Sequence, residues 1–495
     1  MARDRWKTRT AFLFAAVGSA VGLGNLWRFP YLTYEYGGGA FLIPYLLALI
    51  ILGIPLLLLE FAIGQKLQKG AAHAFKNVNG RFSGIGWGAL LGAFTVVVYY
   101  AAVMAWSLIY FLQSFTQNLP WAEDAEGYFF GSVLQISDSI AAADALTLNW
   151  TLFAALAVIW FTIFLITRNG VKSVGKVVMY TVPLPVILLL ILFIRGITLP
   201  GAIDGIAAYL IPDFSALLDP TIWSAAAAQI FFTLSLGFGI MIAYASYNKD
   251  NNLRSDAVFT AVTNSAISIF AGFVVFSILG FMANRSGVLV NDVVASGPGL
   301  AFVVFPAALA QIPFAPVFAA LFFLMLLMLG IDSAFSLIEA VNTSIKDVNK
   351  KLKTSSIAFA TCLVGFCLGT LFVTKAGLYY LDLVDHFVTN YVLIIVAIFE
   401  ALAIGWFYGA DKFRKYINST TKVKVGVWWE YAIKYVIPII LFGLLVLQFL
   451  TDVSTPYEGY PAWALTIGWL AVIIPLTIMV IFAIFTEKNS KKSKN

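Results

Sequence analysis

The chain has 495 residues, of which 61% are hydrophobic and 11% charged, and its net charge is +6. Soluble domains carry about 25% charged residues, so this chain has too little polar surface for a water-soluble shell, and lipid must be its solvent. Only helices and closed barrels satisfy their own backbone groups in lipid. The apolar runs are continuous rather than alternating, and many reach about 20 residues, which selects helices.

In chain order, residues 1–8 form a polar amino-terminal segment. Twelve spans are predicted, at 9–34, 40–66, 85–115, 150–167, 174–195, 221–247, 256–283, 316–346, 356–373, 378–408, 430–451 and 461–486. No basic-apolar-cleavage pattern precedes the first, so no removed leader is expected. Two shorter apolar stretches, near Leu199–Tyr209 and Leu300–Ile312, are broken by proline and read as interfacial or re-entrant helices. The fold expected is all-α and polytopic. A core over 9–408 is followed by two further helices within 409–486 and a basic tail at 487–495.

Two spans are interrupted at mid-membrane depth. The first breaks at Gly18-Ser19-Ala20-Val21-Gly22-Leu23-Gly24-Asn25 and resumes into Trp27-Arg28-Phe29-Pro30. The sixth breaks at Ser235-Leu236-Gly237-Phe238-Gly239. Glycine costs about 1 kcal/mol against alanine inside a helix, and unwound backbone is tolerated in a membrane only where it lines a buried site or wet cavity. Spans one to five and six to ten would each open on a broken helix, which predicts an inverted five-plus-five repeat. Gly18-x-x-x-Gly22 taken alone is also a helix-packing motif. The conjunction of two breaks with an intramembrane acid, Asp332, favours a binding site.

Lysine and arginine set the orientation. With the amino terminus cytoplasmic, about 27 of the 31 basic residues fall on the inner side. The third-to-fourth loop, on the other side, carries only acids: Glu123, Asp124, Glu126, Asp138 and Asp144. The positive charge is therefore topological, and its scatter over short loops gives no support to nucleic-acid binding. The tail from Lys488 to Lys494 reads as a solvated flank or a contact for anionic headgroups. The two cysteines, Cys362 and Cys367, lie five positions apart on one helix and suit packing rather than a disulfide. His73 and His386 are separate, and no nucleophile–base pair, phosphate loop or metal-ligand spacing stands out, so no enzyme is expected. Asn149-Trp-Thr151 and Asn284-Arg-Ser286 fit a glycosylation pattern that is common by chance.

A broken helix leaves amides on one side and carbonyls on the other. Amides attract a carboxylate, carbonyls attract cations, and one gap can hold both ends of a zwitterion. Oxygen donors suited to hard cations lie nearby: Asn25, Thr233, Asn264, Asp332 and Ser333.

Nearly the whole chain resembles the neurotransmitter:sodium symporter family, which includes bacterial leucine-transporter-like amino-acid transporters. The resemblance rests on Gly18 to Pro30, on Gly37-Gly-Gly-Ala-Phe-Leu-Ile-Pro-Tyr45, and on Gln229-Ile-Phe-Phe-Thr-Leu-Ser-Leu-Gly-Phe-Gly239. It implies two Na⁺ sites. One would use the Ala20 carbonyl, Asn25, Thr233, Asn264 and the substrate's own carboxylate. The other would use the Gly18 and Val21 carbonyls with Leu329, Asp332 and Ser333. The substrate carboxylate would meet amides near Gly22 and Gly24 and the Tyr100 hydroxyl. Its ammonium would meet the Ala20 and Phe232 carbonyls. Val96, Val103, Phe232, Ser235, Phe238 and Leu337 would surround its side chain. Members that carry monoamines have an aspartate where this chain has Gly22, so a substrate with its own carboxylate is expected.

The resemblance also implies gates. Arg28 and Asp385 would close the outside, with Tyr100 and Phe232 as a lid. Arg3 with Asp347, together with Trp6, Ser246 and Tyr247, would close the inside. Ser268 stands where chloride-independent bacterial members often have a carboxylate. Tyr45, Gln229, Thr233, Asn264 and Ser268 could then hold Cl⁻, which would neutralise two sodiums, a zwitterion and Asp332. The function implied is sodium-coupled import of a neutral, hydrophobic amino acid. Alternatives are a GABA-, glycine- or betaine-like substrate, a channel, or a receptor that binds without translocating. Short termini resemble those of prokaryotic members, which implies a multi-pass protein of a bacterial or archaeal plasma membrane.

Overall fold

A computed structural model describes residues 4–249 and 252–492, with 487–492 described by backbone course alone. Every named element among the described residues is helical. Ten helices are long and apolar enough to cross a membrane, from Gly38–Leu67 to Ala462–Thr486. The pair Arg9–Ala20 and Leu23–Glu35, bent by 52°, makes an eleventh span. Pro220–Thr233 and Ile240–Ala245, parted by residues 234–239, account for the twelfth expected run. Its two halves are each too short to cross alone. The predicted interfacial helices appear as Ala202–Leu210 and Gly297–Ala310.

Three local features depart from the sequence reading. The third-to-fourth loop contains a wide helical turn, Gly127–Leu134, that buries Phe129. The fifth span starts at Val171 and restarts at Pro183. The tenth run turns at Gly409, whose φ of +102° few side chains tolerate. A separate helix, Ala410–Thr420, follows it. Asn149, in the first of the two glycosylation patterns, is 1% exposed. Its side chain caps the fourth span through Leu152 N (3.1 Å) and donates to the Val133 carbonyl (2.9 Å). It is a structural cap, inaccessible to a glycan.

Loops far apart in sequence meet on two opposite faces. On the amino-terminal face Lys172 pairs with Asp4 (2.7 Å), Arg9 with Asp256 (2.5 Å) and Lys69 with Asp347 (3.7 Å). All four basic-loop segments that meet there were expected on one side. On the other face Lys375 binds Asp144 at 2.8 Å and holds that exposed carboxyl below its ordinary range.

Helices close where glycine lets backbones touch. A Cβ on Gly64 in the second span would stand 2.2 Å from the Ile242 carbonyl oxygen in the sixth. That crossing fixes the inner half of the broken sixth span against an unbroken neighbour. Gly64→Leu should therefore lower the thermal unfolding midpoint in detergent, with a destabilisation of about 1–3 kcal/mol from overpacking. An unchanged midpoint would mean the two helices do not pack at this crossing.

Candidate functional site

The two breaks are built differently. In the first span only Val21 and Gly22 leave helical geometry. The Val21 amide ends the first half on the Val17 carbonyl (2.7 Å). The second half starts with Asn25 Oδ1 accepting from the Gly22 amide (2.8 Å), while the Leu23 amide donates to Tyr100 Oη (3.3 Å). In the sixth span Ser235, Gly237 and Gly239 all take positive φ, at 54°, 77° and 72°. Glycine takes that geometry freely, but a serine there needs support. Ser235 has it: its hydroxyl donates to the Ser19 carbonyl (2.9 Å), tying the sixth break to the first.

Asn25 is the hub between the breaks. Its amide donates to Ser268 Oγ (2.7 Å), Asn264 Oδ1 (2.9 Å) and Thr233 Oγ1 (3.2 Å). Asn264 also donates to Thr233 Oγ1 (3.0 Å). All four residues are buried. The cluster joins the first, sixth and seventh spans through polar atoms alone and contains no carboxylate. Beside it Tyr45 Oη donates to Ser265 Oγ (3.0 Å), and Gln229 Oε1 is buried without a partner.

A second locus lies between the first and eighth spans. Val17, Gly18, Val21, Leu329 and Asp332 line a cavity of about 10 Å³, closed on its far side by Thr181 and Val182. That volume is on the scale of one water or one small ion. Asp332 Oδ1 is buried and unpaired. A Cβ on Gly18 would stand 3.0 Å from Asp332 Oδ2 and 2.7 Å from Val182, so only glycine allows the approach. An orphaned carboxylate oxygen in a one-ion cavity beside helix-end carbonyls suits a hard cation. Ser333, one residue on, donates weakly toward the Ser19 carbonyl (3.5 Å).

The expected side-chain pocket gathers around the same gap. Val96, Val103, Phe238 and Leu337 are buried, and Phe232 meets Phe238 edge-on at 6.1 Å. No neighbouring atom lies within 4 Å of a Cβ built on Gly24, which leaves room beside its backbone.

The faces differ. Toward the amino terminus Trp6 is buried, donates to the Tyr244 carbonyl (2.8 Å) and packs edge-on against Tyr244 and Tyr247. Ser246 is buried behind it, and Tyr247 bonds Glu339 (3.2 Å) and Thr343 (2.7 Å). Asp347 accepts from the Gly70 amide (2.7 Å) as well as meeting Lys69. Arg3, its expected partner, lies outside the described residues. On the opposite face the structure does not bring Arg28 and Asp385 into direct contact. Asp385 accepts from Tyr99 Oη (2.5 Å), while the Arg28 guanidinium sits over the Phe232 ring at 5.2 Å.

Sequence reasoning missed two acids. Glu60 in the second span is fully buried and accepts from the Gly237 amide (2.8 Å), at the centre of the sixth break. Glu400 in the tenth is buried close enough for the two charges to interact. The rule that singled out Asp332, an ionisable group inside an apolar run, applies equally to Leu59-Glu60-Phe61 and Phe399-Glu400-Ala401.

Comparison with known proteins gives this geometry a context. The family model for the sodium:neurotransmitter symporter family matches residues 3–126 and 122–490. An uncharacterised sodium-dependent transporter of Methanocaldococcus jannaschii is 41% identical, over 97% of each chain. The sodium- and chloride-dependent GABA transporter 2 of Rattus norvegicus is 35% identical, over 99% of this chain and 87% of its own. The sodium-dependent dopamine transporter of Bos taurus is 37% identical, over 98% and 74%.

The Glu60 contact is open to a direct check. Glu60→Gln keeps an acceptor for the Gly237 amide and should unfold near the parent temperature. Glu60→Leu strands a buried donor, which costs about 1–3 kcal/mol, and should unfold lower. Equal midpoints for the two variants would remove Glu60 from the support of the break.

Proposed function

This chain belongs to the sodium:neurotransmitter symporter family of sodium-dependent transporters, and we propose that it imports a neutral, hydrophobic amino acid with sodium by alternating access. The observation that carries this reading is the cross-linking of two helix breaks by Asn25, Thr233, Asn264 and Ser268. A solute bound between the breaks would touch both halves of the core at once. An inverted repeat over 9–408 would then supply the two related halves that rock past each other.

One sodium would use the oxygens of Asn25, Thr233 and Asn264 with the Ala20 carbonyl and the substrate carboxylate. A second would use Asp332 with Ser333 and the carbonyls around the small cavity. Because the substrate would complete the first set, each would strengthen the other's binding reciprocally. Gly22 offers no acid to an amine, which supports a substrate carrying its own carboxylate. The Val96, Val103, Phe238 and Leu337 walls support an apolar side chain. A methylene discriminates by only about 1–3 kcal/mol, so these walls favour a class of substrate. The GABA transporter among the relatives makes another small carboxylated amine the second reading.

Trp6, Ser246, Tyr247 and Asp347 would form the cytoplasmic gate, with Arg3. Arg28 and Asp385, now apart, would meet when the outer side closes over Phe232 and Tyr100. Both termini would lie in the cytoplasm of a prokaryotic cell. Gln229, with its unpartnered oxygen, and Tyr45, Thr233, Asn264 and Ser268 would hold a chloride.

In proteoliposomes under an imposed sodium gradient, a panel of labelled amino acids and small carboxylated amines should show saturable uptake of a neutral apolar one. Asp332→Ala should abolish its sodium dependence. Uptake of a GABA-like amine alone would favour the second reading, and saturable binding without flux would leave a receptor. Replacing chloride by gluconate should depress uptake, and an unchanged rate would remove the anion site.

A further inference from the structure

The amino-terminal face carries a cleft of about 550 Å³, within the range of about 300–1,000 Å³ typical of small-molecule sites. The amino-terminal segment, the turn between the fourth and fifth spans and the start of the ninth span form its walls. Five cations line it, Arg5, Lys7, Arg168, Lys172 and Lys176, against one acid, Asp4. Asp4 is taken by Lys172 at 2.7 Å. Among the described residues no carboxylate pairs with Arg5, Lys7, Arg168 or Lys176. Thr354 and Ser355 add hydroxyl donors where the ninth span begins without a side-chain cap.

The bland reading is that these are ordinary topogenic charges. Topology asks for cations on a face, however, and not around one hollow. Elsewhere on this face cations have partners: Arg9 with Asp256, Lys69 with Asp347, Arg414 with Glu430, and Lys66 over Phe413. In the cleft, four unpaired cations repel one another across a concave wall. Arginine forks at Arg5 and Arg168, with lysines between, match the geometry of phosphate oxygens.

We propose that this cleft binds a multiply charged phosphate group, either of a soluble polyphosphate or of an anionic lipid headgroup. Arg5 and Lys7 flank Trp6, which seals this face, whereas Arg168, Lys172 and Lys176 belong to the fourth and fifth spans. A polyanion bridging the two sets holds the Trp6 segment shut, as the Asp4–Lys172 pair does, and slows opening on this side. That mechanical consequence rests on the alternating-access reading; the binding does not.

The test uses the full chain in phosphatidylcholine nanodiscs at fixed ionic strength. Tripolyphosphate is titrated calorimetrically, and thermal midpoints are compared with and without phosphatidylglycerol. Arg5→Gln/Arg168→Gln/Lys176→Gln removes three unpaired cations and should leave the ligand-free midpoint unchanged. Lys412→Gln/Lys415→Gln/Lys422→Gln removes the same charge outside the cleft. Charge-assisted contacts are worth about 1.5–3 kcal/mol each, so the cleft variant should weaken binding at least about ten-fold and the control little. Saturable tripolyphosphate binding identifies a soluble ligand. A midpoint raised by phosphatidylglycerol alone identifies the headgroup. If the triple variant unfolds, Arg168→Glu takes its place. No saturable response to either probe, or equal weakening in cleft and control variants, overturns the site. Failed uptake under every gradient would sink the symport reading and leave this binding result standing.

Discussion

A peptide group inside a bilayer has no water to fall back on, and every other feature of this molecule follows from that constraint. Two helices stop in the middle of the membrane, so their loose amides and carbonyls must find partners inside the protein. The partners are individually recognisable. Asn25 receives the Gly22 amide, Tyr100 the Leu23 amide and Glu60 the Gly237 amide, while the Ser19 carbonyl receives Ser235. Each comes from another span or from the far side of its own break. The cost of breaking a helix is thereby turned into cross-links between helices that an unbroken span would have no reason to form.

Those cross-links also determine what can move. The first, sixth and seventh spans are joined by amide and hydroxyl contacts in the buried cluster, and the second span joins them through Glu60 and through the close crossing at Gly64. Between the first and eighth spans, contact is mainly through a small cavity and a long Ser333–Ser19 approach. The strong polar links lie within one group of helices and a weak, hollow seam separates it from the eighth span. A rigid group hinged on a soft seam is what a rocking motion needs.

Much of this was legible in the sequence, for identifiable reasons. The breaks were visible because glycine is costly in helices, so clusters at Gly18–Gly24 and Gly237–Gly239 stand out against apolar runs. Apolar length located the spans. Charge in short loops grouped residues 4, 172, 256 and 347 on one face, where the structure has them meet. What escaped depends on distance across the fold. Glu60 and Glu400 lie 340 positions apart, by subtraction of their sequence numbers, and nothing local says that they approach. The Arg28–Asp385 separation is a property of one conformation, and a sequence describes all of them. Asn149 was ambiguous because a helix cap and a glycan acceptor use the same side chain.

The charge balance around the site is a local matter, and this bears on how an anion would act. On the proposed reading, a cation in the small cavity faces Asp332, and the two cancel. A cation among Asn25, Thr233 and Asn264 faces no protein carboxylate, so the substrate's own must cancel it. The substrate ammonium then remains, held only by carbonyl dipoles. An uncompensated charge in such surroundings costs several kcal/mol. Gln229, Tyr45 and Ser268 sit on the seventh-span side of the Asn25 hub, and an anion there would offset that remainder through Ser268, which already contacts Asn25 at 2.7 Å. Glu60 is committed to the Gly237 amide on the other flank of the sixth break. The acid that balances the ammonium is therefore neither Asp332 nor a spare carboxylate in the hub. The requirement for an anion follows from where the charges lie, since a sum over the whole membrane domain would count Glu60 and Glu400 and conceal it.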